Sequence, residues 1–242
     1  MNQKKDRKAL ARLPASHLAR HFLLFAILTL FLLTLARAGF MLWQLARYED
    51  TGTMLSSFVA GLRFDVAMLG IVLAIPVFVV PLLAMLRPML PLARFFSLFW
   101  VLVAFLIILL LELVTPYTLL ESGLRPDVSV LTELGNPVDV LAKLWSTHII
   151  PAVIGVFLAT LIYIAFWARL DMSRFLRHPI KVLPAICLAV VGLAVCLFAA
   201  ASSVNPLESV LTPHASLIST EGVVNEISSN SLYKTMYGMF IR

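Results

Sequence analysis

The feature that most limits what this chain can fold into is a set of five apolar stretches, each long enough to cross a bilayer. A transmembrane helix needs about 20 apolar residues, because lipid offers its backbone groups no partners outside the helix. The sequence therefore predicts an all-α, polytopic membrane protein with five transmembrane helices. The stretches lie at residues 21–42, 66–86, 95–114, 149–167 and 182–200 of the 242-residue chain.

The composition agrees with this class. Hydrophobic residues make up 61% of the chain and charged residues 13%, whereas a soluble domain is nearer half apolar and a quarter charged. The chain divides into a basic amino-terminal segment (1–20), a membrane domain (21–200) and a linker helix region (201–242). The formal net charge is +6, but no basic run is interleaved with aromatic residues, so nucleic acid is not an expected partner.

The distribution of basic residues between alternate loops predicts the orientation, because lysine and arginine concentrate in cytoplasmic loops. One side of the predicted bundle receives 12 of the 19 basic residues and only two of the 13 acids, Asp6 and Asp171. Those basic residues are Lys4, Lys5, Arg7, Lys8, Arg12, Arg20, Arg87, Arg94, Arg169, Arg174, Arg177 and Lys181. We therefore predict a multi-pass protein of a bacterial inner membrane, with a cytoplasmic amino terminus and an extracytoplasmic carboxyl terminus.

The first apolar stretch is interrupted by Arg37. The tripeptide Ala36-Arg37-Ala38 resembles a signal-peptidase site after a short apolar core. Apolar character resumes beyond it through Leu42 and Trp43, so we expect an uncleaved anchor rather than a signal peptide.

Four charged residues are predicted to share one membrane depth, at the extracytoplasmic ends of the first three stretches. They are Arg37, Arg63, Asp65 and Glu112. Charges at such a depth need partners or access to the headgroups. Arg63 and Asp65 are two residues apart, so on a helix they point about 200° away from each other and do not pair. We expect Asp65 to orient Arg37 instead.

Two roles are open for Arg63. It can be an interfacial anchor that snorkels to the headgroups, or it can bind a lipid phosphate together with Arg37, because a guanidinium fork suits phosphate oxygens. Glu121 and Arg125 lie in a bend of turn formers and charges that can help shape a polar site. The candidate lipid-headgroup residues are thus Arg63, Arg37, Asp65, Glu112, Glu121 and Arg125. The pattern indicates no catalytic and no metal-binding residue.

The connection from residue 115 to residue 148 contains a predicted interfacial helix. Asn136 suits the N-cap, Pro137 the first helical position and Asp139 the positive end of the helix dipole. The following apolar residues recur at three- and four-residue spacing, which predicts an amphipathic helix in the extracytoplasmic interface. They are Val138, Leu141, Leu144 and Trp145. A plain surface helix and a lipid-gating helix are both compatible with this pattern.

The linker helix region becomes amphipathic toward its end. Leu232, Met236 and Phe240 recur every four residues, a pattern typical of a helix that needs a partner surface. The sequence stops at Arg242 without a cap. We therefore expect this helix to lead into a further part of a longer protein.

Residue types that carry common chemistries are not arranged as sites. The five histidines are scattered, with no HxxxH or HxH pair for a metal. No Walker loop, dinucleotide fingerprint or recognisable nucleophile context occurs. No charged residue lies near the middle of a predicted span, which argues against an ion or proton path.

Together these features resemble the amino-terminal transmembrane region of the lipoteichoic acid synthase-like phosphoglycerol transferases, in the alkaline phosphatase and sulfatase superfamily. The resemblance rests on five spans with the amino terminus inside, on Gly61-Leu62-Arg63-Phe64-Asp65, and on the 121–127 bend followed by an interfacial helix. The stretch at residues 223–232, VVNEISSNSL, is similar to the family segment that leads from the last span to the catalytic domain.

The resemblance implies a membrane anchor and lipid-presenting region that is not catalytic by itself. Family members carry an extracytoplasmic catalytic domain with a threonine nucleophile and a divalent metal, usually Mn²⁺. That domain is absent from this chain, so no cofactor is expected here. The implied partners are membrane lipids, above all an anionic phospholipid such as phosphatidylglycerol, and a sulfatase-like extracytoplasmic domain. A stand-alone lipid-sensing or regulatory membrane module is the main alternative, and a small transporter is a third.

Overall fold

The computed structural model describes residues 13–127, isolated positions between 142 and 165, and residues 176–201 and 211–240. This part of the chain is helical and contains no strand. Its helices are α1 (Leu13–Trp43), α2 (Thr51–Leu83), α3 (Leu90–Glu121), α4 (Val182–Ala201), α5 (Gly222–Ile227) and α6 (Ser231–Phe240). Short 3₁₀ turns lie at Leu45–Arg47, Arg87–Met89 and Pro213–Ser216.

Four of these helices, α1 to α4, are long and apolar enough to cross a membrane. They coincide with the first, second, third and fifth predicted stretches. The fourth predicted stretch, 149–167, and the predicted interfacial helix after Asn136 lie largely outside the described residues. The prediction of five spans therefore stays a prediction, whereas a multi-pass helical membrane protein is what the structure supports.

The helix that contains the predicted second span begins well before that span. Helix α2 begins at Thr51 rather than near Val66, and it runs for 33 residues. Asp50 is its N-cap, with extended backbone and a side chain that accepts a hydrogen bond from the Thr53 amide at 2.6 Å. This bond lowers the pKa of the exposed Asp50 carboxyl. The Gly61-to-Asp65 motif therefore lies inside a formed helix.

Helix α2 is the centre of the bundle and packs antiparallel against α4. At one end the Ile180 amide donates to the Ala84 carbonyl at 2.9 Å. Further along, a Cβ added to Gly70 would lie 2.5 Å from the Cys196 carbonyl oxygen. The two backbones are thus in contact at Gly70, as small residues allow in packed membrane helices.

This pairing gives a depth scale along α2. The 20 residues of α4 span about 30 Å, which is the thickness of a hydrocarbon core. Nineteen residues separate Ala84 from Asp65, or about 28 Å on the same scale. Asp65 therefore lies level with the end of α4, and residues 51–64 extend about 20 Å beyond it. The tail, residues 211–240, packs around this level, so we call this end of the bundle the tail end.

Candidate functional site

The predicted pairing of Arg37 with Asp65 is confirmed. The Arg37 Nη2 atom lies 2.8 Å from both carboxylate oxygens of Asp65 and also donates to the Gly61 carbonyl at 3.0 Å. The two side chains are 3% and 0% exposed. Arg63 is exposed and Asp65 is buried, as expected for residues two apart on a formed helix.

The tail closes over this ion pair. Arg37 Nη1 donates to the carbonyls of Ile227 and Ser229, the latter at 3.1 Å. The Asn230 side-chain amide donates to Asp65 Oδ1 at 2.8 Å. The Asn230 side-chain oxygen in turn accepts from the Tyr233 amide at 2.9 Å, as an N-cap does at the start of α6. One asparagine thus starts a helix and fixes the carboxylate beneath it.

A second group of charges lies beside the first, between α3 and the tail. Arg125 Nη1 contacts Glu112 at 2.9 Å and the Ser231 hydroxyl at 3.2 Å. The Arg125 backbone amide donates to Glu226, which is also paired with Lys234 at 2.7 Å. The Arg125 side chain is 1% exposed, and its guanidinium carbon lies 5.5 Å from the centre of the Phe40 ring, within cation–π range.

We call these six residues the charge cluster: Arg37, Asp65, Glu112, Arg125, Glu226 and Lys234. Three positive and three negative side chains lie together at the tail end, and their formal charges cancel. Buried charges are costly unless they are paired and hydrogen-bonded. Arg37–Asp65 and Arg125–Glu112 are ion pairs that contain no tail residue. The docked tail adds hydrogen bonds to both pairs, from its carbonyls, the Asn230 amide and the Ser231 hydroxyl.

Hydroxyl groups and an aromatic pair extend the tail's contacts. Ser228 donates to Ser57 on α2 at 2.8 Å, and the Tyr233 ring packs edge-on against Phe64 with centroids 5.3 Å apart. The Tyr233 hydroxyl donates to the Leu211 carbonyl at 2.5 Å. Burial, with a smaller contribution from Tyr237, raises the pKa of Tyr233 to about 12. The phenol therefore stays a neutral donor at any physiological pH.

Gly61 is the position on α2 that the Arg37 guanidinium covers. A Cβ added there would overlap the Nη1, Cζ and Nε atoms of Arg37. Only glycine lets the arginine lie flat against the helix backbone and reach both the Gly61 carbonyl and Asp65. The contact with Arg37 thus gives a steric explanation for the glycine in the Gly61-Leu62-Arg63-Phe64-Asp65 motif.

The six candidate headgroup residues fall into two groups. Arg37, Asp65, Glu112 and Arg125 come together in the charge cluster, where the terminal nitrogens of Arg37 contact protein acceptors. Arg63 and Glu121 are exposed outside the cluster. A lipid-headgroup role stays a prediction for all six residues.

Sequence reasoning missed the tail's contribution to the cluster. Glu226, Asn230, Ser231 and Lys234 were not candidates. Glu226, Asn230 and Ser231 lie more than 100 residues from their partners Arg125, Asp65 and Thr115, and Lys234 pairs with Glu226 inside the tail. Two signals were available: the amphipathic pattern of the tail, which requires a partner surface, and Asn230 at the N-cap position of that helix. Neither signal specifies which surface is contacted.

Each member of the charge cluster contacts another protein group, so the cluster is suited to holding the tail in place. Within the described ranges, no three His, Cys, Asp or Glu side chains lie together as metal ligands. Comparison with known proteins adds no assignment: no protein-family model matches the chain, and no solved structure gives a significant match.

Proposed function

We propose that this chain is the membrane anchor and lipid-presenting region of a phosphoglycerol transferase-type enzyme of a bacterial inner membrane, with its tail end extracytoplasmic. The observation that carries the proposal is the docking of the tail. Residues 223–232 resemble the segment that, in the transferase family, connects the last span to the catalytic domain. A connection fixed by buried ion pairs would hold such a domain at a defined height and angle over the lipid surface.

A docked connection restricts an attached domain more than a flexible linker does. A flexible connection leaves an attached domain free to sample a large volume, so a lipid headgroup is presented only at a low effective concentration. A docked segment removes that freedom. Arg37, Asn230 and Ser228 all fix the same turn, between α5 and α6, to the membrane helices.

Arg63 is the residue that we propose contacts the lipid headgroup. It lies one helical half-turn from Asp65, at the level where α4 ends, and its side chain is exposed. Guanidinium groups at such a depth reach phosphate oxygens and can bind them through two parallel hydrogen bonds. An anionic phospholipid such as phosphatidylglycerol is the ligand that this chemistry favours.

Native mass spectrometry of the full 242-residue chain with phosphatidylglycerol tests this proposal. We expect Arg63→Ala to weaken lipid retention by about tenfold, because the variant loses a charge-assisted hydrogen bond to the phosphate. Arg63→Lys should restore retention only in part, because an ammonium keeps the charge but lacks the fork. Arg47→Ala is the matched control, since Arg47 is also an exposed arginine at the tail end.

Equal retention by the wild type, Arg63→Ala and Arg63→Lys would show that Arg63 is only an interfacial anchor and would remove the headgroup site from the proposal. Full rescue by lysine would likewise favour simple charge attraction over a phosphate fork. A stand-alone lipid-sensing module is the alternative function. Such a module would also retain lipid through the guanidinium group of Arg63.

The proposed orientation makes a separate prediction. A reporter that is active only outside the cytoplasm should be active when fused after Arg242 and inactive when inserted near Arg87, because basic residues concentrate on the Arg87 side. An insertion in the Leu45–Arg47 turn should behave like the Arg242 fusion, since Arg47 in that turn lies 3.7 Å from Glu221 of the tail. The reverse pattern of activities would contradict the orientation and with it the anchoring role.

A further inference from the structure

An apolar groove lies between the ends of α1 and α2, beyond the charge cluster. It has a volume of about 350 Å³, within the range of small-ligand sites. Its walls are almost wholly apolar. They include Ala38, Met41 and Leu42 from α1, and Met54, Leu55 and Phe58 from α2.

The groove continues the lipid-facing surface of α1. Exposed apolar side chains recur along that helix at one-turn and two-turn intervals up to the groove, at Ile27, Phe31, Leu35 and Leu42. On α2, Leu55 and Val59 are exposed beside it. The polar side chain beside this face between Ile27 and Leu42 is Thr34, whose hydroxyl donates to the Leu30 carbonyl at 2.7 Å. An acyl chain on α1 can therefore reach the groove without crossing a charge.

The position of Arg37 on α1 places the groove at headgroup level. Arg20 and Arg47 are exposed, whereas Arg37 between them is buried. Arg37 contacts Asp65 at the level where α4 ends. Leu42 lies five residues further along α1, or about 8 Å, which is about the thickness of one headgroup layer. The groove is near the Arg47 end, and the exposed Trp43 beside it suits the same layer.

An apolar groove at that height would be costly if water filled it. In a membrane, lipid chains would cover the exposed apolar face of α1 directly below the groove. We propose that the groove binds part of an acyl chain of a membrane lipid in the tail-end leaflet, lifted from the hydrocarbon toward the headgroup layer. This inference extends the proposed lipid-presenting function and rests on it, since raising a chain would loosen the lipid from its neighbours.

The test uses the full chain in nanodiscs that contain phosphatidylglycerol with a photoreactive diazirine near the end of one acyl chain. Labelled peptides are mapped by mass spectrometry. We expect strong labelling of residues 51–59, which a lipid in bulk hydrocarbon would not reach. Ala38→Phe fills the groove and should reduce this labelling by about threefold or more. Leu35→Phe, on the same exposed face but outside the groove, should leave it unchanged.

Leu42→Trp is a second blocking variant, because Leu42 is 67% exposed and a larger ring there does not disturb the packed core. Photoreactive diacylglycerol, which has the same chains and no phosphate, should label residues 51–59 with the same sensitivity to blocking. Labelling that neither blocking variant reduces would overturn the inference, as would a covalent dimer formed through the groove by a second copy.

The same probes separate this inference from the headgroup site. If Arg63→Ala reduces labelling by phosphatidylglycerol while Ala38→Phe and Leu42→Trp do not, the proposed function stands and the groove inference falls. If the blocking variants reduce labelling by both lipids while Arg63→Ala changes neither, the groove binds a chain and the headgroup proposal falls.

Discussion

Replacing Asp65 by asparagine is expected to lower the stability of the detergent-solubilised protein by about 3 kcal/mol, the cost of leaving one partner of a buried ion pair without compensation. Arg37 is buried and its Nη2 atom contacts both Asp65 oxygens. An asparagine keeps the shape of the side chain but removes the charge that balances the guanidinium. Thermal unfolding followed by circular dichroism measures the effect.

Arg63→Ala is the control for this prediction, because Arg63 lies two residues away on the exposed face and should change stability far less. A double variant, Arg37→Met with Asp65→Leu, should recover part of the loss, since an apolar pair can replace a buried ion pair. Recovery should be incomplete, because Arg37 also donates to the carbonyls of Ile227 and Ser229. An Asp65→Asn variant as stable as Arg63→Ala would refute the compensating role of Asp65.

The loss of Asp65 should also release the tail. Asn230 and Arg37 connect the tail to the pair, so weakening the pair should expose the turn at Ser228–Asn230 to proteases. Limited proteolysis at a temperature below the unfolding transition separates local release from global unfolding.

The membrane helices could be predicted because the physical signal is local and strong. A helix of about 20 apolar residues is long enough to cross the hydrocarbon core and satisfies its own backbone hydrogen bonds, whatever its neighbours are. The Arg37–Asp65 pair was also predictable, because two opposite charges at one depth in neighbouring spans have few other partners. Both predictions depend on the membrane as a solvent rather than on details of packing.

The start of α2 could not be read from the same signal. Hydropathy indicates where lipid surrounds a helix, whereas the helix itself begins wherever a cap and hydrogen bonds allow. Asp50 and Thr53 form that cap, and residues 51–65 are helical although Gly52, Ser56 and Ser57 dilute their hydropathy. A search for capping residues before the apolar run would have placed the boundary.

The contacts of the tail were beyond sequence reasoning for a different reason. The pairing of Arg125 with Glu112 is within reach of sequence, since both were candidates for one polar site. The pairing of Glu226 with the Arg125 backbone joins residues 101 positions apart, and many acids could satisfy an amide equally well. Amphipathicity shows that a surface is needed, but shape and hydrogen-bond geometry decide which one.

Gly61→Ala and Gly39→Ala are expected to change stability in opposite directions. Both glycines lie inside long helices, where alanine is favoured by about 1 kcal/mol on intrinsic propensity alone. A Cβ at Gly39 meets nothing within 4 Å, so that variant should keep the gain. A Cβ at Gly61 overlaps the Arg37 guanidinium, which is held by Asp65 and by carbonyls of the tail. We expect a net loss of about 1–3 kcal/mol, the usual cost of overpacking.

The cause of that loss can be isolated by removing the guanidinium. In an Arg37→Met background the overlapped group is gone, so Gly61→Ala should cost little or nothing, and the two substitutions should be strongly non-additive. Additive losses would mean that alanine at position 61 disturbs the α1–α2 packing itself rather than the arginine. Non-additivity would instead show that Gly61 is there to let Arg37 lie against α2, reach Asp65 and hold the tail, which makes a backbone position part of the charge cluster.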